Sequence, residues 1–138
     1  MVARSYNSPV DELAAKLISY ERRIASLERA ANGNSTPWTA VTFQNGWVNY
    51  GGVYQTAQYR RVGDIVYLRG FIAGGTINAA AFTLLAGFRP PAYMHFSAVS
   101  AGAGHDGLCY VEASGAVTPA FGSNTWFSLE GIFFSVTA

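Results

Sequence analysis

The sequence predicts a mainly β protein: an antiparallel, jelly-roll-like β-sandwich preceded by one helix that forms a parallel trimeric coiled coil. Three observations lead there. Apolar residues recur at alternating spacings of three and four near the N-terminus. After residue 37 the texture changes to short aromatic and β-branched runs cut by Gly, Asn and Pro. Charge is scarce, at 12% of residues against 50% hydrophobic ones, about half the usual charged share.

The helix begins at Ser8-Pro9-Val10-Asp11. Ser8 caps it, Pro9 suits the first helical position, and Asp11 reaches back to the cap. Val10, Leu13, Leu17, Tyr20, Ile24, Leu27 and Ala31 then form the seam, and Gly33-Asn34 stops the helix. With Val10, Leu17, Ile24 and Ala31 at a, Lys16 and Arg23 fall at g and Glu21 and Glu28 at the following e. That pattern suits parallel, in-register chains. Arg23, Ile24, Leu27 and Glu28 together resemble the parallel trimeric coiled-coil motif, and Leu17 at a and Tyr20 at d point the same way. The trimerisation residues are therefore Val10, Leu13, Leu17, Tyr20, Arg23, Ile24, Leu27 and Glu28. A helix of this length spans about 35 Å.

Four segments follow: an anchoring peptide at 1–8, the stalk at 9–32, a linker at 33–37 (Gly-Asn-Ser-Thr-Pro) and a β head at 38–138. Strands are expected at Trp38–Phe43, Trp47–Tyr50, Tyr59–Val62, Ile65–Ile72, Ala81–Leu85, Phe96–Ala101, Gly107–Ala113, Ala116–Pro119 and Thr125–Val136, the last with a break at Gly131. Asn45-Gly46 and Gly63-Asp64 are turn signals. From residue 35 onward only eight residues are charged: Arg60, Arg61, Arg69, Arg89, Asp64, Asp106, Glu112 and Glu130. A body so poor in charge is expected to bury part of its surface between subunits.

Net charge is +1 with no basic stripe, which argues against nucleic-acid binding. No apolar run approaches the ~20 residues that span a bilayer, and no signal peptide is visible. The lone Cys109, among Leu108, Tyr110 and Val111, reads as a buried structural thiol. Two histidines and one cysteine do not make a typical zinc site without carboxylates. The four dispersed carboxylates and the lack of a nucleophile elbow point away from catalysis, so neither catalytic residues nor a cofactor is expected. Arg89 reads as a structural partner for Glu130 or Asp64.

Three segments resemble bacteriophage tail-fibre and receptor-binding head domains: Gln58–Gly70 (QYRRVGDIVYLRG), Phe82–Pro91 (FTLLAGFRPP) and Trp126–Phe134 (WFSLEGIFF). The resemblance covers roughly residues 38–138, and its motifs are structural. It implies a homotrimeric, non-enzymatic virion fibre on the tail tip or the capsid. Its N-terminal peptide would dock on other virion proteins, and its heads would bind a host-surface saccharide or protein. A capsid decoration protein without an essential receptor is the alternative. A saccharide site needs aromatic platforms with polar groups beside them. Tyr50, Tyr54, Tyr93, His105, Asp106, Asn124 and Trp126 are the candidates.

Overall fold

A computed structural model describes residues 8–138, with only the backbone for residues 31–33. The anchoring peptide lies outside the described residues apart from Ser8. The chain divides into a helical unit ending at Asn34 and a β unit, Ser35–Ala138.

Helix α1 runs Pro9–Gly33. Its start is the reciprocal cap that Ser-Pro-Val-Asp encodes. The Asp11 N–H donates to Ser8 Oγ at 3.2 Å, and the Ser8 N–H donates to Asp11 Oδ2 at 3.2 Å. Such a cap is worth about 1 kcal/mol. All of Val10, Leu13, Leu17, Tyr20, Ile24 and Leu27 are exposed on the single chain, from 53% for Leu17 and Tyr20 to 74% for Val10. Ile18, outside the seam, is exposed as well. Burying one such side chain contributes about 1.5–3 kcal/mol, whereas a lone helix is marginal in water.

The β unit holds β1 (Thr39–Ala40), β2 (Val48–Asn49), β3 (Gln58–Val62), β4 (Ile65–Arg69), β5 (Phe71–Ala73), β6 (Phe82–Thr83), β7 (Met94–Val99), β8 (Asp106–Val111), β9 (Ala116–Phe121), β10 (Phe127–Ser128) and β11 (Phe133–Ser135). They form three antiparallel sheets, ordered β1-β3-β4-β11, β10-β5-β2 and β6-β9-β8-β7. This arrangement is consistent with a β-sandwich. The β3–β4 hairpin closes through Gly63 at φ 59°, pairing Gln58 with Arg69 and Val62 with Ile65. The Asn45-Gly46 turn has positive φ at both residues, 53° and 79°.

Several strands differ from expectation in length. The expected Trp38–Phe43, Trp47–Tyr50 and Ala81–Leu85 strands shrink to two residues each. Their neighbours still find partners, but off the regular ladder: the Ala81 N–H donates to the Val117 carbonyl and the Leu84 N–H to the Gly115 carbonyl, both at 2.8 Å. The central strand expected over Ile65–Ile72 is two strands in two different sheets. Gly70, at φ 124°, makes the break. Its N–H leaves the ladder and donates to Glu130 Oε1 at 3.1 Å, while its carbonyl accepts the Leu129 N–H at 2.8 Å. The closing segment breaks in step near Gly131, so β10 pairs with β5 and β11 with β4. Both long runs thus cross between the first sheet and the second, in opposite directions.

One apolar core serves all three sheets. Trp47, Ile72, Phe82, Leu84, Phe127, Leu129 and Ile132 are its largest buried members. Trp47 meets Phe127 edge-on at 6.4 Å, and its ring lies against Gly75, where a Cβ would come within 2.1 Å of it. The indole N–H has no hydrogen-bond partner. An unpaired buried donor costs about 1–3 kcal/mol. Burying an indole of 150–250 Å² at 25 cal/mol/Å² contributes about 4–6 kcal/mol, so packing wins.

Candidate functional site

Four aromatic rings surround a recess of about 230 Å³: Tyr50, Tyr54, Phe71 and Trp126. Backbone pairing assembles it. The Tyr50 N–H donates to the Phe71 carbonyl and the Phe71 N–H to the Gln55 carbonyl, both at 2.9 Å. Phe71 therefore clamps the 50–55 loop at both ends. From the other side, the Trp126 carbonyl accepts the Ala101 N–H at 3.0 Å.

The rings form a continuous strip. Tyr50 and Tyr54 lie 5.1 Å apart, Tyr54 and Phe71 4.9 Å, and Phe71 and Trp126 5.6 Å. His105 extends it, stacked on Trp126 at 5.9 Å with 22° between planes. His105 sits in a 3-10 turn, Ala103–His105, at φ 55°, and its Nδ1 is 3.3 Å from the Ser100 carbonyl. Ser100 Oγ secures that turn by donating to the Asp106 carbonyl at 2.6 Å and accepting the Ser123 N–H at 2.9 Å. Asp106 follows His105 with its side chain exposed. Tyr50 and Tyr54 are 41% and 47% exposed, so apolar ring faces are open to solvent in a strip that ends in a histidine.

Four of the seven candidates from the sequence, Tyr50, Tyr54, Trp126 and His105, meet in this strip, with Asp106 next in the chain. Two are elsewhere. Asn124 Nδ2 donates to the Gly75 carbonyl at 2.8 Å, and its own carbonyl accepts the Gly74 N–H at 2.7 Å. It braces the turn that lies on Trp47. Tyr93 belongs to a second aromatic group on the third sheet, 5.3 Å from His95 and 5.2 Å from Tyr110, which themselves stack at 4.3 Å. Desolvation, then the charges of Glu112 and Tyr110 and a hydrogen bond to Glu112, raise the Tyr93 phenol above its ordinary pKa. Phe71 was missed by sequence reasoning. In strict alternation it would share one face with Tyr67 and Arg69, and the break at Gly70 redirects it.

Among the described residues there is no group of three or more His, Cys, Asp or Glu placed to hold a metal ion, and no helix is long and apolar enough to cross a membrane. Asp64 pairs with Arg61 at 3.3 Å, partly exposed, worth at most about 1 kcal/mol. Glu112 accepts from Ser114 Oγ and Glu130 from Gly70. Arg89 is a correction: its Nε donates to the Leu84 carbonyl at 2.8 Å, not to Glu130 or Asp64. The Leu84-Leu85-Ala86-Gly87 bend brings that carbonyl within reach of its own downstream arginine.

Cys109 is buried, and desolvation pushes its thiol up to about 12, slightly offset by a backbone hydrogen bond at Thr118. With the thiolate the reactive form, a thiol reagent at pH 8 is expected to leave the folded protein unlabelled and to label it fully in denaturant. Rapid labelling without denaturant would contradict the burial of this residue.

No protein-family model matches the chain, and a search of curated proteins returns no match. Among solved structures it is similar to the receptor binding protein (gp15) of Listeria phage PSA, with a TM-score of 0.73 and 17% sequence identity. The alignment covers 97% of this chain and 83% of that one, a share too large to come from the β unit alone. At that identity the likeness is one of fold: this chain has the fold of a phage receptor binding protein.

Proposed function

We propose that the chain is a homotrimeric, non-enzymatic fibre or spike protein of a phage virion whose β units attach to a saccharide on the host surface. The aromatic recess carries this reading. Contiguous aromatic rings, with Tyr50 and Tyr54 open to solvent and His105 stacked on Trp126 at one end, suit the apolar faces and hydroxyls of a sugar ring, on a fold like that of a phage receptor binding protein. Weak contacts suffice, because three linked heads bind with greater avidity than one. The N-terminal peptide serves as the contact to other virion proteins, on the tail tip or the capsid. No cofactor and no nucleic acid enter this role.

The test is fluorescent labelling of the purified protein and microscopy on bacteria that the source phage infects. Staining competed by free wall saccharide is the expected result. Absence of staining sinks this reading and leaves a structural role such as capsid decoration, which immunogold labelling of virions would then place.

Trimerisation is assigned to the exposed seam. Supporting it, Lys16, Arg23, Glu21 and Glu28 make no ion pair within the chain among the described residues, leaving them available for a neighbour. Ile24→Asn with Leu27→Asn is expected to convert the trimer to monomer or aggregate in analytical ultracentrifugation. A soluble trimer surviving both changes would mean that the β units hold the assembly together.

A further inference from the structure

We propose that a second concavity, on the outer face of the β3–β4 hairpin, binds an oxyanion through the guanidinium groups of Arg60 and Arg69. It encloses about 420 Å³ and is lined by Trp38, Arg60, Tyr67, Arg69 and Glu130, with Val62 and Leu68. The hairpin register explains the grouping. Gln58 pairs with Arg69 and Arg60 with Tyr67, so these four alternate residues share one face.

The four arginines of the β unit differ in what their guanidinium groups meet. Arg61 is engaged through all three of its nitrogens: its Nε donates to the Gly63 carbonyl at 2.7 Å, one Nη to the Gly87 carbonyl at 2.8 Å, and the other meets Asp64. Arg89 holds the Leu84 carbonyl. Arg69 is oriented without being neutralised. Its guanidinium lies 3.9 Å from the centre of the Trp38 ring, and its Nε, at 2.9 Å, and one Nη both donate to the neutral Gln58 Oε1, which leaves the other Nη and the remaining N–H free among the described residues. Arg60 lies 5.5 Å from the same ring, and its Nε is buried with no hydrogen-bond partner. Neither makes an ion pair with a carboxylate among the described residues. Glu130 is on the same wall, but its Oε1 is committed to the Gly70 N–H.

A buried donor on a permanent cation is unfavourable until an acceptor arrives. Guanidinium forks match the paired oxygens of a phosphate or carboxylate, and an indole face keeps the fork planar and in place. Two such cations around one recess, one pre-oriented and one lacking an acceptor, are an oxyanion site. Val62, Tyr67 and Leu68 supply an apolar wall for the body that bears the charge. Glu130 disfavours surplus negative charge. The site shares no lining residue with the aromatic recess, so it stands whether or not that recess binds sugar.

The test is a titration of the full-length, ¹⁵N-labelled protein at low ionic strength, following the arginine Nε–H resonances. The probes are inorganic phosphate, acetate and chloride. The expected result is a saturable shift of the Arg60 and Arg69 signals with phosphate, acetate or both. Which of the two saturates identifies the charged group. Arg60→Gln and Arg69→Gln should each weaken binding at least tenfold, Glu130→Gln should strengthen it, and Tyr54→Ala should leave it unchanged. No shift with either oxyanion overturns the proposal. So does a shift that chloride reproduces, or undiminished binding in a folded double variant. The wild-type titration decides the matter even if a variant fails to fold.

Discussion

Gly70→Ala is expected to destabilise the β unit by at least about 3 kcal/mol, a large part of the 5–15 kcal/mol that holds a typical domain. Two effects coincide. The residue sits at φ 124°, where L side chains are strained. A Cβ there would also lie 2.5 Å from Ala57 Cα and 2.8 Å from the Thr56 carbonyl carbon. These are backbone atoms, so no side chain can rotate away. Gly87 separates the two effects. It has φ 92° with nothing within 4 Å of a would-be Cβ, so Gly87→Ala should cost only about 1 kcal/mol. Denaturant midpoints of the two variants measure the difference. Equal losses would show that close approach at Gly70 contributes nothing.

Tyr54→Ala combined with Trp126→Ala is expected to reduce staining of host cells at least tenfold while shifting the unfolding midpoint little. Tyr54 is in a loop and half exposed, and Trp126 lies outside the strands. Neither belongs to the core cluster. Removing a half-exposed ring and a partly buried one takes away half of the aromatic strip, and aromatic anchors typically carry more than 1 kcal/mol each at a binding surface. In the proposed trimer the loss is multiplied across three heads. Tyr93→Ala is the control, since that ring packs edge-on against His95 and tilted against Tyr110 on the third sheet. Staining that falls equally with Tyr93→Ala would move the receptor site to that sheet.

How legible these features were depends on their range. The helix was readable from Ser8 to Gly33 because capping and heptad spacing are local. The two tight turns were readable because Asn-Gly and Gly-Asp suit positive φ. The broken central strand was not. Ile65–Ile72 alternates well, and the only sign of the break is one glycine. Its conformation is set by Ala57 and Glu130, residues far away in the chain. The same break hid Phe71 from the candidate site. Asn124 illustrates the converse: a polar residue in an apparent loop resembles a ligand contact until its amide is seen holding Gly75. Trp38, Arg60 and Arg69 were invisible as a group, because a cation stacked on a ring leaves no pattern of spacing.

The clamp that Phe71 places on the 50–55 loop divides the recess into two kinds of residue. Phe71 begins a strand, and its backbone is bonded on both sides. Tyr50, Tyr54 and Trp126 lie outside every strand, and changing them disturbs no sheet ladder. Surface positions of that kind usually tolerate substitution within about 0.5 kcal/mol. Mutational drift can therefore exchange the rim of the recess ring by ring while its floor stays fixed. A library randomised at those three positions should stay mostly folded, which makes this rim the natural place to change the specificity of the proposed binding site.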